Sequence, residues 1–203
     1  SKVYMVGNVL IDNIRFLQQR MQRPAVMDEE HLEEGKYMLL TLNRKAIVNN
    51  IEEMKKLIST IDGVARKAGI KVLAPLRGKA LGFVLAFKAY QDVADHQSGI
   101  MVVHPQGYLD FSYLAAHAMG VITDSGNVAE EATFNGVPCI TLNSYTEHLE
   151  TVTVGTNELV AEDPEKLQQA MEKIVKGEWK KAGIPDRWDG RSAERIVQII
   201  CGE

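Results

Sequence analysis

Two adjacent carboxylates behind a Ser-Gly-Asn turn are the clearest chemical feature of this chain. The run TDSGNVAEEATFNGVP, residues 123–138, starts at the end of an apolar stretch and continues with helical spacing. A helix amino terminus presents unpaired N–H groups and a partial positive charge, so it can hold a phosphate without any lysine. Ser125 adds a hydroxyl there, Gly126 admits close backbone approach, and Asn127 adds an amide. Glu130 and Glu131 follow one turn later. Consecutive helical residues point about 100° apart, so one glutamate can face a ligand while the other faces solvent or caps. A carboxylate that accepts from two neighbouring hydroxyls is a common device for a ribose diol. The same residues also read as an ordinary helix end. Asn127 as N-cap with Glu130 three positions on resembles a capping box, and carboxylates near a helix start suit its dipole. The two readings are compatible, because a cap engages only one or two of the four free N–H groups.

Three further segments place polar residues just beyond apolar runs. TLNRK puts Asn43, Arg44 and Lys45 where a strand should open into a loop, either as solvated charges or as cations at the same rim as Ser125. In HPQGYLDF, Gln106, Tyr108 and Phe111 could sandwich and read a base, or Phe111 could be core. NSYTEHLETVTVGT is unusually polar for a segment between two strands, which makes Thr146, Glu147 and His148 candidates.

The elements that would position these residues alternate regularly. Apolar runs at 37–43, 70–76, 100–105, 120–124, 138–143 and 158–161 read as strands. Between them lie helical patterns at 51–68 (closed by Gly69), 82–94, 108–118, 127–136 and 164–179, the last capped by Asp163 with Pro164 at its first position. A final helix is expected near 192–200. VYMVG, 3–7, looks strand-like and DNIRFLQQR, 12–20, helical. Residues 21–36 read as a loop with one helical turn at Glu29–Glu33. Strands alternating with helices argue for an α/β fold, a doubly wound parallel sheet in three αβα layers. Ligands bind such sheets at the carboxyl ends of strands, near a topological switch point.

The totals narrow the classes. A chain of 203 residues suits one domain, here taken as 1–203, and can bury a core without staples. Its net charge of −4 leaves no footprint for nucleic acid or anionic membrane, so a bound phosphate must be held by local dipoles and a few cations. No apolar run reaches the ~18 residues of a membrane span. Cys139 and Cys201 match no metal or redox spacing, which points to reduced thiols in a cytoplasmic protein. His31, His96, His104, His117 and His148 show no ligand spacing either, so no metal is expected.

Segments GNVLID, LLTLNR, PQGYLDF, ITDSGNVAEEATFNGVPCITL, TEHLETVTVGTNELV and DGRSAERI, in that order, resemble the carboxyl-terminal half of non-hydrolysing UDP-N-acetylglucosamine 2-epimerases. The resemblance implies a Rossmann-like domain, the second of two in a glycosyltransferase-B-type fold, with UDP or a UDP-sugar as ligand and no cofactor. It implies that Ser125 and Gly126 hold the diphosphate, that Glu131 takes the ribose hydroxyls, and that Gln106 and Phe111 lie near the uracil. The family carries histidine where Asn43 stands, a second glycine at Asn127, and arginine then proline at His148 and Leu149. In APLRGKALG, Leu76 and Arg77 stand where it has another histidine. Arg44 is then left to meet phosphate charge, and His148 is a shorter, only fractionally charged substitute for arginine. These departures leave a hydrolysing or glycosyltransferase-like UDP-sugar enzyme, or a non-catalytic relative, as alternatives. The family's catalytic carboxylates lie largely in the amino-terminal domain, so the catalytic residues are unknown here and the chain is expected to be a silent half. Without that partner the apolar face of Ile196, Val197, Ile199 and Ile200 would be exposed, and a homodimer is one way to cover it.

Overall fold

The structure, a computed structural model, describes residues 2–93 and 97–202; Ala94 and His96 lie outside the described residues. The elements run α1 (Val9–Gln18), α2 (Ala25–Glu29), β1 (Tyr37–Leu40), α3 (Lys45–Val48), α4 (Ile51–Ala68), β2 (Lys71–Ala74), α5 (Gly78–Val93) and β3 (Ile100–Val102). They continue α6 (Tyr108–Ala116), β4 (Gly120–Thr123), α7 (Gly126–Phe134), β5 (Cys139–Thr141), α8 (Leu149–Thr153), β6 (Asn157–Leu159), α9 (Pro164–Val175) and α10 (Ser192–Cys201).

Six parallel strands form one sheet in the order β3-β2-β1-β4-β5-β6. This is the doubly wound, Rossmann-like order, and it places the topological switch between β1 and β4. Successive strand residues point to opposite faces. Met38 and Leu40 therefore meet α4 and α9 in one buried layer, while Tyr37 and Leu39 meet α2, α6 and α7 in the other. Both faces are covered, which is why the central strand β1, Tyr-Met-Leu-Leu, is apolar and fully buried along its length. The long helix α4 shows how local and tertiary signals agree. Asn50 caps its start through Glu53 N–H, Met54, Leu57, Ile58 and Ile61 face inward, and Gly69 ends it with φ +64. Only a glycine takes that left-handed conformation at little cost.

The beginning of the chain departs from expectation. Residues 3–7 form no strand, because no free sheet edge lies beside them: the chain turns at Gly7 (φ +102) against Arg187 and Ser192. A Cβ at Gly7 would lie 2.3 Å from the Arg187 carbonyl oxygen, so the close approach requires glycine. The helix starts earlier than read, at Val9, since Asn8 caps it by accepting from Leu10 N–H at 2.9 Å. In the next segment the helical turn is α2, not Glu29–Glu33. Pro24 precedes it and Val26 and Met27 bury inward, whereas Leu32 is the one apolar side chain of the glutamate-rich stretch and buries without a helical turn. The strands are shorter than their apolar runs. α3 and α8 occupy segments that carry too few residues for a visible period.

Helix α1 packs on α10 and α7, with Ile11, Ile14 and Trp188 as a third small core. Val197, Ile199 and Ile200 remain exposed on α10, and Phe16 is exposed on α1, the helix that packs on it. Cys139 is fully buried, which pushes its thiol up to about 12, and both Cys139 and Cys201 are unbridged. Among the described residues, no helix is long and apolar enough to cross a membrane.

Candidate functional site

At the carboxyl ends of β1, β4 and β5, loops enclose a polar cavity of about 410 Å³. Asn43, Arg44, Ser125, Gly126, Asn127 and His148, all singled out above, line it together with Asp124 and Tyr145. Helix α7 aims its amino end at this space. Ser125 holds the N-cap position in extended backbone, and its side chain makes no cap bond. The backbone is held there from behind: Ser125 N–H donates to Thr123 Oγ1 at 3.0 Å, and Thr123 pairs with Thr41 Oγ1 at 2.7 Å across the sheet. The helix therefore starts at Gly126, one residue before the expected position, so Asn127 is not the N-cap and sits inside the first turn. The first-turn N–H groups have no intrahelical partner by geometry and no side-chain cap, which leaves an open anion seat.

Arg44 and His148 border the seat. Arg44 donates Nη2–H to the Tyr145 hydroxyl at 3.2 Å and stands 5.4 Å from that ring's centroid, so its partner is a phenol that does not neutralise it. The His148 ring lies against Gly126, where an added Cβ would meet Cδ2 at 2.9 Å and Nε2 at 3.3 Å. Gly126 thus makes room for an imidazole as well as for a ligand. His148 Nδ1 is 2.9 Å from Glu130 Oε1, and Asn8 Nδ2 donates to the same oxygen.

Neither glutamate of the pair reaches solvent, which corrects the expectation for one of them. Glu130 is 4 % exposed and turns to His148 and Asn8; Glu131 is 5 % exposed and accepts from Ser112 Oγ on α6 at 3.2 Å. The reason is that α7 is packed on both flanks, by α6 and by α1 and α8. Burial pushes both carboxyls above the usual carboxylate range; His148 and Asn8 pull Glu130 back, and Ser112 pulls Glu131 back.

Thr146 and Glu147 also line the cavity, whereas Glu131, Gln106 and Phe111 lie apart from it. Glu131 is one turn deeper on α7. Gln106 borders a separate cleft and donates Nε2–H to the His104 carbonyl at 2.7 Å. Phe111 is half-buried against the layer that contains Leu114 and Ala115.

Asp124 escaped the sequence reading and is central. It is 2 % exposed, and Oδ2 accepts the backbone N–H groups of Asn43 and Arg44, both at 2.7 Å. Its Oδ1 has no partner among the described residues. Two charge-assisted bonds thus fasten the end of β1 to the end of β4 and place Arg44 at the cavity wall. The available signal was a carboxylate directly before a Ser-Gly turn at a buried strand end.

Glu130, His148 and Glu150 bring potential ligand atoms within 4.8 Å of one another. Glu130 and His148 contact each other directly there, with Glu150 as a third group beside them.

Comparison with known proteins bears on this arrangement. The family described as UDP-N-acetylglucosamine 2-epimerase matches residues 1–201. The chain belongs to that family. Curated UDP-N-acetylglucosamine 2-epimerases of Methanococcus maripaludis and Methanocaldococcus jannaschii are similar to it at 31 % and 32 % identity, over 100 % and 98 % of the chain. Those matches cover 56 % and 55 % of the two relatives, so the chain spans about half the length of the epimerases it matches. A crystal structure of the M. jannaschii UDP-GlcNAc 2-epimerase in complex with UDP-GlcNAc and UDP superimposes with a TM-score of 0.80, covering 100 % of this chain and 55 % of that one. The Neisseria meningitidis epimerase, at 22 % identity and TM-score 0.79, shares the fold. Within the 2-epimerase family this is the glycosyltransferase-B-like, Rossmann-type unit whose order β3-β2-β1-β4-β5-β6 was traced above.

Proposed function

We propose that this chain is the UDP-binding half of a UDP-N-acetylglucosamine 2-epimerase. The observation that carries the reading is the open amino end of α7 at the topological switch, bordered by Arg44 and His148. A diphosphate fits that chemistry: first-turn N–H groups and the Ser125 hydroxyl donate to its oxygens, Arg44 offsets its charge, and the His148 imidazole lies beside it. Glu131, on the α6 side of the same helix, would take the ribose hydroxyls after a small movement of Ser112, with Gln106 beyond it toward the base. Asn43, which cannot carry charge, contributes only hydrogen bonds.

In the reaction proposed for the whole protein, UDP leaves the sugar to give an unsaturated intermediate and adds back after the proton on the second carbon has changed face. This half would hold UDP while it is a leaving group and keep it in place for re-addition. The carboxylates that move the proton belong to a preceding domain of comparable size. The 203-residue chain alone is then a UDP binder without turnover; epimerase activity of the purified chain would refute that division.

The direct test is titration of the chain with UDP by calorimetry, beside Ser125→Ala and Glu131→Ala. Saturable binding, weakened about tenfold by each change, is expected from loss of one hydrogen bond to a charged or diol group. Absence of binding to the unaltered chain, or binding indifferent to both changes, would place the nucleotide elsewhere.

A further inference from the structure

We propose that Glu130 and Asn8 are positioning residues that hold His148 as an ionised donor to the diphosphate, making UDP affinity fall as pH rises through the imidazole range. The inference rests on the UDP-binding reading above.

The geometry supplies each part. His148 is the residue before α8, so its backbone is tied to a helix end, and Thr146 Oγ1 accepts its N–H at 3.1 Å. Its ring reaches back to α7, where Nδ1 meets Glu130 Oε1 at 2.9 Å. With Nδ1 engaged, Nε2 is the atom left beside Gly126, at the mouth of the anion seat. A carboxylate on one imidazole nitrogen fixes the ring's orientation and favours a proton on both nitrogens, so that the other becomes a charge-assisted donor. Glu130 is itself held: Asn8 Nδ2 donates to Oε1 while Asn8 Oδ1 caps α1. One asparagine therefore ties the start of α1 to a side chain that supports the pocket, across 122 positions of sequence.

Other charged groups set the balance. Glu147 and Glu150 lie on the histidine's own segment, Asp124 ends β4, and Arg44 stands across the cavity. Glu150 lies with the pair, so two carboxyl groups flank one imidazole. Burial raises Glu130 toward protonation, and it is the imidazole and the Asn8 amide that oppose this. A bound diphosphate adds negative charge on the Nε2 side, and linkage then makes proton uptake and UDP binding mutually favourable.

Four chains decide the matter: the natural sequence, Glu130→Gln, His148→Arg, and the double variant. For each, affinity for UDP and for uridine is measured from pH 5.5 to 8.5, together with the His148 Nδ1 proton resonance in the ligand-free chain. The natural chain is expected to lose roughly tenfold in UDP affinity across the range and none for uridine, as expected when one charge-assisted contact is lost. Glu130→Gln should flatten that profile at its weak end and abolish the slowly exchanging, downfield Nδ1 resonance. His148→Arg should bind UDP with no pH step, and adding Glu130→Gln should then change little. If UDP binds with the same pH profile in the natural chain and in Glu130→Gln, the inference is overturned. If the Nδ1 resonance is absent from the natural chain, it is likewise overturned. If no UDP binds at any pH while the resonance is present and lost in Glu130→Gln, the positioning role stands and the UDP-binding reading is what fails.

Discussion

Two clefts open on the same carboxyl edge of the same sheet, and their characters are opposite. Over β1, β4 and β5 the cavity is lined by Asn43, Arg44, Asp124, Ser125 and His148. Beside β2 and β3 the cleft, about 540 Å³, presents Leu76, Leu81, Leu85, Val102 and Pro105 on its walls, with Glu29, Glu30, His104, Gln106 and Asp110 as its polar groups. The strands beneath are equally apolar, so the sheet does not make the difference. The connections do. The chain leaves β1 for α4 on one face and leaves β4 for α7 on the other, so the two loops part and expose backbone donors between them. Beside β2 and β3 the connections part as well, to α5 on one face and α6 on the other, but there apolar side chains close the gap.

The contrast can be broken most severely at Asp124. Asp124→Ala removes the acceptor for two backbone N–H groups and unfastens β1 from β4. A loss of about 3 kcal/mol in stability is expected, with UDP binding abolished. In a domain of this size that is roughly 6–12 °C in Tm, measurable by calorimetry. Faster amide exchange at Asn43 and Arg44 would localise the effect; unchanged exchange there would contradict the fastening role.

A smaller change of opposite sign is expected at Glu131. Burial raises its folded-state pKa above the unfolded value, so the folded chain holds that proton more tightly. Its contribution is then most favourable at low pH and declines as pH rises through the raised folded value. Glu131→Gln should therefore raise Tm at pH 7 by up to about 3 °C, with the gain shrinking as pH falls toward 4.3, the ordinary value for glutamate. The same substitution should weaken UDP binding. A Tm at pH 7 below that of the natural chain would show the ionised carboxylate to be better compensated than Ser112 alone allows.

The least effect belongs to the apolar cleft. Leu85 is 50 % exposed, so Leu85→Ser should change stability by no more than about 0.5 kcal/mol and leave UDP affinity unaltered. A drop in UDP affinity would mean that the two clefts act as one site.

Much of this was legible beforehand. The stripe from Ile51 to Ala68 with Gly69 behind it, and Asp163-Pro164 at the start of α9, announce their helices because caps and periodicity are local. The strand-like VYMVG misled for the complementary reason: β-propensity creates no strand without a free edge to pair with. The Ser125–Gly126 turn was visible as a helix start, but its register was not. One hydrogen bond, donated by Ser125 N–H to Thr123 Oγ1, accompanies the cap at Ser125 rather than Asn127.

By itself, then, the sequence determined the alternation of strand and helix, the parallel sheet covered on both faces, and the polar character of the loops after β1, β4 and β5. Those properties depend on neighbours a few residues apart. Only the tertiary structure decided that Asp124 fastens Asn43 and Arg44, that Glu130 and Glu131 both turn inward, and that Asn8, Glu130 and His148 meet. Such contacts join residues far apart in sequence, and the partner of a buried charge is chosen by packing, which leaves no periodic trace in the chain.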